Sequence, residues 1–285
     1  MSATELGKLR RLRRLFHREG SRIVLVPLDD SLISGPQMGL EFLGAKLEKI
    51  LRASPDAIMG FPGLFRNHGD LLANIPAILN ITASTSRSHH TRKTLVGTVM
   101  QALRLGVEAI AVHVNISSRF EPEMLAILGS VASEADNSGL PLMAIMYPRT
   151  EGADKDDNYT ELRKENPKQY AGLVAHAARV GVELGADIIK TQYTGDPESF
   201  HSVVEACLPI PVIIAGGPAL PMESMLQMAF GSIRAGGSGV SFGRNVFSRV
   251  HPVAYIDALK SIVHDNMTPT EAIELSKQDT ALNNL

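Results

Sequence analysis

Eight short apolar runs, each followed by a stretch of helical spacing or helical length, constrain this chain more than any other feature. They are Arg22–Leu28, Asp56–Gly60, Ile75–Ile81, Glu108–Val114, Leu140–Met146, Ala186–Lys190, Pro211–Ala215 and Ser238–Phe242. Strands that alternate with helices imply parallel pairing through right-handed crossovers, and such strands are apolar on both faces. Eight units of this kind close most simply as a (β/α)8 TIM barrel. A doubly wound open sheet is the competing architecture. It usually has fewer strands and a glycine fingerprint after the first one, whereas Asp29-Asp30-Ser31-Leu32 stands here.

A length of 285 residues with 44 % apolar residues suits one α/β domain over residues 1–285, and no linker divides it. A helix over Glu5–Glu19, with Leu6, Leu9, Leu12 and Leu15 inward, precedes the first strand. Further helices are predicted over Leu40–Ala53 and over Leu95–Leu105, the latter stopped by Gly106. The polar stretch Thr150–Gln169 reads as an insertion, a loop or lid. A net charge of −2 with mixed signs gives no footprint for nucleic acid, and the basic cluster Lys8–Arg14 reads as a solvated helix face. With Cys207 as the single cysteine, no run of 18 apolar residues and no signal pattern, a soluble cytoplasmic protein without a membrane partner is expected. Among nine histidines, His89-His90 are adjacent and point apart, and His113 lies within an apolar strand. No ligand spacing emerges, so neither metal nor cofactor is expected.

In a barrel the C-terminal strand ends converge on one mouth, where chemistry is done. Here they carry Asp29, Thr85 or Ser86, Asn115, Tyr147, Lys190, Gly216-Gly217 and Gly243-Arg244. Lys190 ends an otherwise apolar run, and burying an ammonium is expensive. It either marks the solvent end of its strand or is an amine kept neutral by desolvation to attack a carbonyl. An amine, a phenol, a carboxylate and an arginine at separate strand ends favour the second reading, since strand terminators are mostly Gly, Asp, Asn and Ser. The glycines after strands seven and eight either make two tight turns or, with Arg244, let backbone N–H groups approach a phosphate.

The segments Val26-Pro-Leu-Asp29, Thr82-Ala-Ser-Thr-Ser86, His113-Val-Asn115, Met146-Tyr-Pro-Arg149, Ile189-Lys-Thr191, Tyr193-Thr-Gly-Asp196, Ala215-Gly-Gly-Pro218 and Gly243-Arg-Asn245 resemble archaeal-type class I fructose-bisphosphate aldolases. They are closer still to the related 2-amino-3,7-dideoxy-D-threo-hept-6-ulosonate synthases. The resemblance runs from about Ile23 to His264. It implies Lys190 as the Schiff-base lysine, Tyr147 as the proton-transfer residue and Asp29 as a second acid/base group. Gly216, Gly217, Gly243, Arg244, Arg149, Ser84 and Asn115 are the implied substrate- and phosphate-binding set, and a homo-oligomer, commonly decameric, is implied as well.

Three departures from that family fall around the acceptor aldehyde. Asp30 stands where the family usually has histidine, Thr150 where it has glycine, and Phe61-Pro62-Gly63 where many synthase-type members have His-Lys-Gly. The expected reaction joins a phosphorylated ketone donor to an aldehyde, with an aspartate-semialdehyde-like acceptor. Cleavage of fructose 1,6-bisphosphate is the alternative within the class, and a non-catalytic phosphosugar-binding barrel is the rival outside it.

Overall fold

The computed structural model describes residues 1–17, 20–150 and 158–282. Eight parallel strands close into a barrel: β1 (Ile23–Pro27), β2 (Ala57–Gly60), β3 (Ala77–Asn80), β4 (Ala109–Ile116), β5 (Leu142–Pro148), β6 (Ile188–Gln192), β7 (Val212–Ala215) and β8 (Gly239–Ser241). Each strand pairs with its neighbours in chain order, and β8 returns to β1 with Ile23 opposite Gly239. The strand period of two explains why the runs are apolar throughout. Val24, Val26, Ile58, Leu79, Val112, Ile189 and Ile214 face the surrounding helices, while Leu25, Met59, Ile78, Ala111, Ile145, Ile188 and Ile213 fill the interior.

The interior needs a floor, and the N-terminal helix α1 (Ala3–Leu15) supplies it. Leu15 is fully buried among the inward residues, and Leu12 and Phe16 pack against the same cluster. Leu6, expected inward, is 48 % exposed, and the expected helix end at Glu19 lies outside the described residues. The basic cluster is not simply solvated either. Three strand-start carboxylates accept a backbone N–H from the preceding strand: Asp56 Oδ2 from Val24 (2.6 Å), Glu108 Oε2 from Ala77 (2.8 Å) and Asp187 Oδ2 from Leu142 (2.9 Å). Each then faces a basic group at or just beyond α1, with His17, Arg14 and Lys8 at 3.7, 3.2 and 3.1 Å respectively. Arg11 adds a hydrogen bond to the Gly139 carbonyl.

The barrel rim at this end is acidic, so cations dock the helix and only its last apolar turn enters the interior. Leu15→Ala should therefore cost about 3 kcal/mol, a transfer loss plus a cavity that rigid strands cannot fill. Chemical denaturation followed by circular dichroism would read it as a lowered midpoint with an unchanged slope.

Elsewhere the connections depart from the expected helices. Thr82–Ala83 pairs antiparallel with Thr94–Leu95, forming a ribbon over the mouth where a polar run and a helix start were expected. The helix begins only at Val99, because Thr98 caps it by accepting from the Gln101 N–H (3.1 Å). The helix expected over Leu40–Ala53 spans Leu43–Arg52. Of the stretch expected as a loop or lid, residues 151–157 lie outside the described ones. The remainder is largely helical, with Thr160–Glu165 preceding a long helix over Pro167–Glu183. No helix among the described residues is long and apolar enough to cross a membrane.

Candidate active site

The even alternation along β6 points Ile188 and Lys190 into the barrel. Lys190 pairs with Ile145 on β5 and Ile213 on β7, so apolar side chains flank it in its own layer. It is 6 % exposed, and its amine makes no hydrogen bond or ion pair with the described residues. Burial lowers its pKa; the carboxylates of Asp29 and Asp30 oppose this, and Arg244 reinforces it.

Tyr147 stands one inward step higher, on β5 opposite Asn115 of β4. The edge of its ring meets the His113 imidazole at 4.8 Å between centroids, and the Arg149 guanidinium lies 5.5 Å from its ring centre. Burial raises the phenol's pKa far enough that the hydroxyl keeps its proton through the neutral range, although Arg149 pulls the other way. Asp29, just beyond β1, accepts a hydrogen bond from Asn80 Nδ2 at 2.8 Å. Its neighbour Asp30 forms an ion pair with Arg244 at 3.3 Å, and burial raises the Asp30 pKa. Amine, phenol and carboxylate thus share one end of one barrel.

The two glycine sites are shaped by packing as well as by turn geometry. A Cβ on Gly216 would fall 2.8 Å from the Phe242 ring and 2.9 Å from Asn245 Nδ2, and one on Gly243 would fall 2.8 Å from the Pro27 carbonyl oxygen. Gly217 takes a φ of 64°. Buried Asn245 ties the two loops together. Its amide donates to the carbonyls of Gly216 (2.9 Å) and Pro218 (3.2 Å), and its oxygen accepts from the Leu220 N–H (2.8 Å). Arg244 follows Gly243 on the rim and is partly exposed.

Other candidates serve the wall of the site. Asn115 is fully buried with both ends of its amide engaged, the oxygen with His113 Nε2 (3.0 Å) and the nitrogen with the Thr91 carbonyl (2.7 Å). Ser84 donates to the His90 carbonyl at 2.6 Å. Arg149 donates to Asn158 Oδ1 at 2.9 Å. The imidazole of His113 stays neutral because burial, then the charges of Lys93, Arg149 and Lys190, push its pKa well down.

Lys93 is the residue that sequence reasoning missed. It sits at the base of the ribbon, only 3 % exposed, and its ammonium donates to Ser84 Oγ at 2.6 Å. Burial, then the charge of Arg149, lowers its pKa to about 8. The mouth therefore holds Lys93, Arg149, Lys190 and Arg244 against Asp29 and Asp30, a basic excess that favours anionic ligands. Among the described residues no group of three His, Cys, Asp or Glu side chains is placed to hold a metal ion. A cavity of about 640 Å³ lies at the floor between α1 and the segment around Phe65. Its wall includes Arg14 and Glu108, already paired with each other in docking α1.

The model of the DeoC/LacD family aldolases matches residues 23–249, from β1 to just past the second glycine site. The 2-amino-3,7-dideoxy-D-threo-hept-6-ulosonate synthase 1 of Archaeoglobus fulgidus is 37 % identical, over 94 % of this chain and 95 % of its own. The 2-amino-4,5-dihydroxy-6-oxo-7-(phosphonooxy)heptanoate synthase of Streptomyces griseus is 35 % identical over 90 % of both. An archaeal fructose-1,6-bisphosphate aldolase, solved with its catalytic lysine covalently bound to the carbinolamine intermediate, superposes with a TM-score of 0.78 at 26 % identity. That match covers 90 % of this chain and 99 % of the other. With the barrel and the extent of these matches in agreement, the chain belongs to the DeoC/LacD family of aldolases and is an aldolase-type enzyme.

Proposed function

We propose that the enzyme forms or cleaves a C–C bond through an imine on Lys190, joining a dihydroxyacetone-phosphate-like donor to an aldehyde that carries an amino-acid end. The observation that carries this reading is the buried Lys190 amine, unpaired among the described residues at the centre of a polar mouth. An ordinary lysine of pKa about 10.4 leaves roughly one amine in 2,500 neutral at pH 7. Burial shifts Lys190 toward the nucleophilic form.

Lys190 Nζ attacks the donor ketone, and the carbonyl π pair moves to oxygen. The alkoxide takes a proton from the ammonium so formed, and the Tyr147 phenol, protonated at the outset, gives its own to the resulting hydroxyl, which departs as water and leaves a protonated imine and a phenolate. The Tyr147 phenolate takes a proton from the adjacent carbon to give an enamine, whose carbon attacks the aldehyde while the new alkoxide takes that proton back from the phenol. Hydrolysis then frees Lys190. Asp29 serves the hydroxyl protons of the intermediate. The donor's phosphate lies at Gly216, Gly217 and Gly243 with Arg244, which must exchange Asp30 for the ligand.

The names of the two synthases support the acceptor. Both describe a seven-carbon product with a 2-amino acid end and a C6 ketone, and the Streptomyces name adds a 7-phosphonooxy group. Undoing an aldol at C4–C5 of the Streptomyces product leaves dihydroxyacetone phosphate and 2-amino-4-oxobutanoate, whereas the 7-deoxy Archaeoglobus product gives the same aldehyde with a donor that lacks the C7 oxygen. Incubation of the enzyme with these two compounds should yield an adduct with their summed mass by mass spectrometry, formed faster than the adduct with glyceraldehyde 3-phosphate. Donor consumption supported only by glyceraldehyde 3-phosphate would transfer the assignment to fructose 1,6-bisphosphate.

A further inference from the structure

The mouth contains a second buried amine with no assigned task. Lys93 is buried like Lys190, and the one hydrogen-bond partner of its amine is the neutral Ser84 hydroxyl. The carboxylates of Asp29 and Asp30 act on its charge, but no carboxylate among the described residues lies within ion-pair distance of it. A desolvated ammonium without a matching anion is costly to hold, and here the frame holds it firmly. Ser84 is fixed by the His90 carbonyl, and the chain two residues before Lys93 is fixed by Asn115 through Thr91.

Position in the ring gives this amine a direction. The closed order of the barrel sets β3 across from β7 and β4 across from β8. The ribbon bearing Lys93 follows β3, so it stands across the mouth from the glycine loops of β7 and β8, and Arg149 is close enough to act on its charge. A substrate with its phosphate in those loops and its carbonyl at Lys190 on β6 extends its far end toward Lys93.

We infer that Lys93 receives the anionic group of the acceptor aldehyde and is a specificity-determining residue of this site. The inference rests on the imine reading above and names the partner of the acceptor's carboxylate or, if the acceptor is a phosphorylated aldehyde, of its phosphate.

The test uses the full chain with dihydroxyacetone phosphate and three aldehydes: butanal, succinate semialdehyde and glyceraldehyde 3-phosphate. Wild-type kcat/KM should favour at least one anionic aldehyde over butanal by about ten-fold or more. Lys93→Met should collapse that preference to within about two-fold, chiefly through KM, and Lys93→Arg should retain most of it. The anionic aldehyde that loses more identifies carboxylate or phosphate as the group received. Equal losses on charged and neutral aldehydes would make Lys93 a wall residue and overturn the inference. So would a wild-type enzyme without preference, a result independent of whether any variant folds. Borohydride trapping of the donor separates the two readings: an adduct without anionic preference defeats the role of Lys93 alone, whereas no adduct defeats the imine.

Discussion

Replacing Tyr147 with phenylalanine is expected to lower turnover by about 10²–10⁴-fold while the barrel stays folded. The substitution keeps the ring, and with it the edge contact to His113 and the packing beneath Arg149, and removes only the hydroxyl. Burial holds that hydroxyl protonated, so what disappears is a transferable proton and not a negative charge. Water can still assist dehydration, so the adduct on Lys190 should form and accumulate while product does not. Steady-state kcat and the thermal midpoint of the variant check this together. Near-normal turnover with a lowered midpoint would assign Tyr147 to packing and make Asp29 the leading proton carrier.

The barrel was legible because each strand is buried on both faces and so appears as an uninterrupted apolar run between helical stretches. Lys190 stood out for the same reason, as a charge where the pattern excludes one. Lys93 gave no such signal. It lies among His89, His90, Thr91, Arg92 and Thr94, a composition that reads as a solvated loop, and its burial arises only when the ribbon folds over the mouth. The docking of α1 was half legible. Asp56-Ala-Ile, Glu108-Ala-Ile and Asp187-Ile-Ile repeat an acidic residue just before alternate strands, which marks an acidic rim for the basic helix to meet. Read alone, Lys8 to Arg14 show only an amphipathic helix with a charged face. Asn245 belongs to the same class of omission, since its three hydrogen bonds join loops separated by some 25 to 29 residues.

Lys190 carries the largest expected effect. Lys190→Arg should lose about 10⁴-fold or more in turnover, because a guanidinium stays protonated and cannot form the imine. Inversion of the ordinary conservative logic is the point, since the charge is kept and the chemistry is lost. In the wild type, adduct formation should rise with pH as the amine loses its proton. Burial lowers the Lys190 pKa, so the midpoint of that rise should fall below the 10.5 of an ordinary lysine. The most direct measurement is borohydride reduction of the enzyme with dihydroxyacetone phosphate, followed by peptide mass analysis. The account predicts one modification per chain, with the mass of the reduced donor, on the peptide containing Lys190. An unmodified chain, or the same mass on the other buried amine at Lys93, would contradict it.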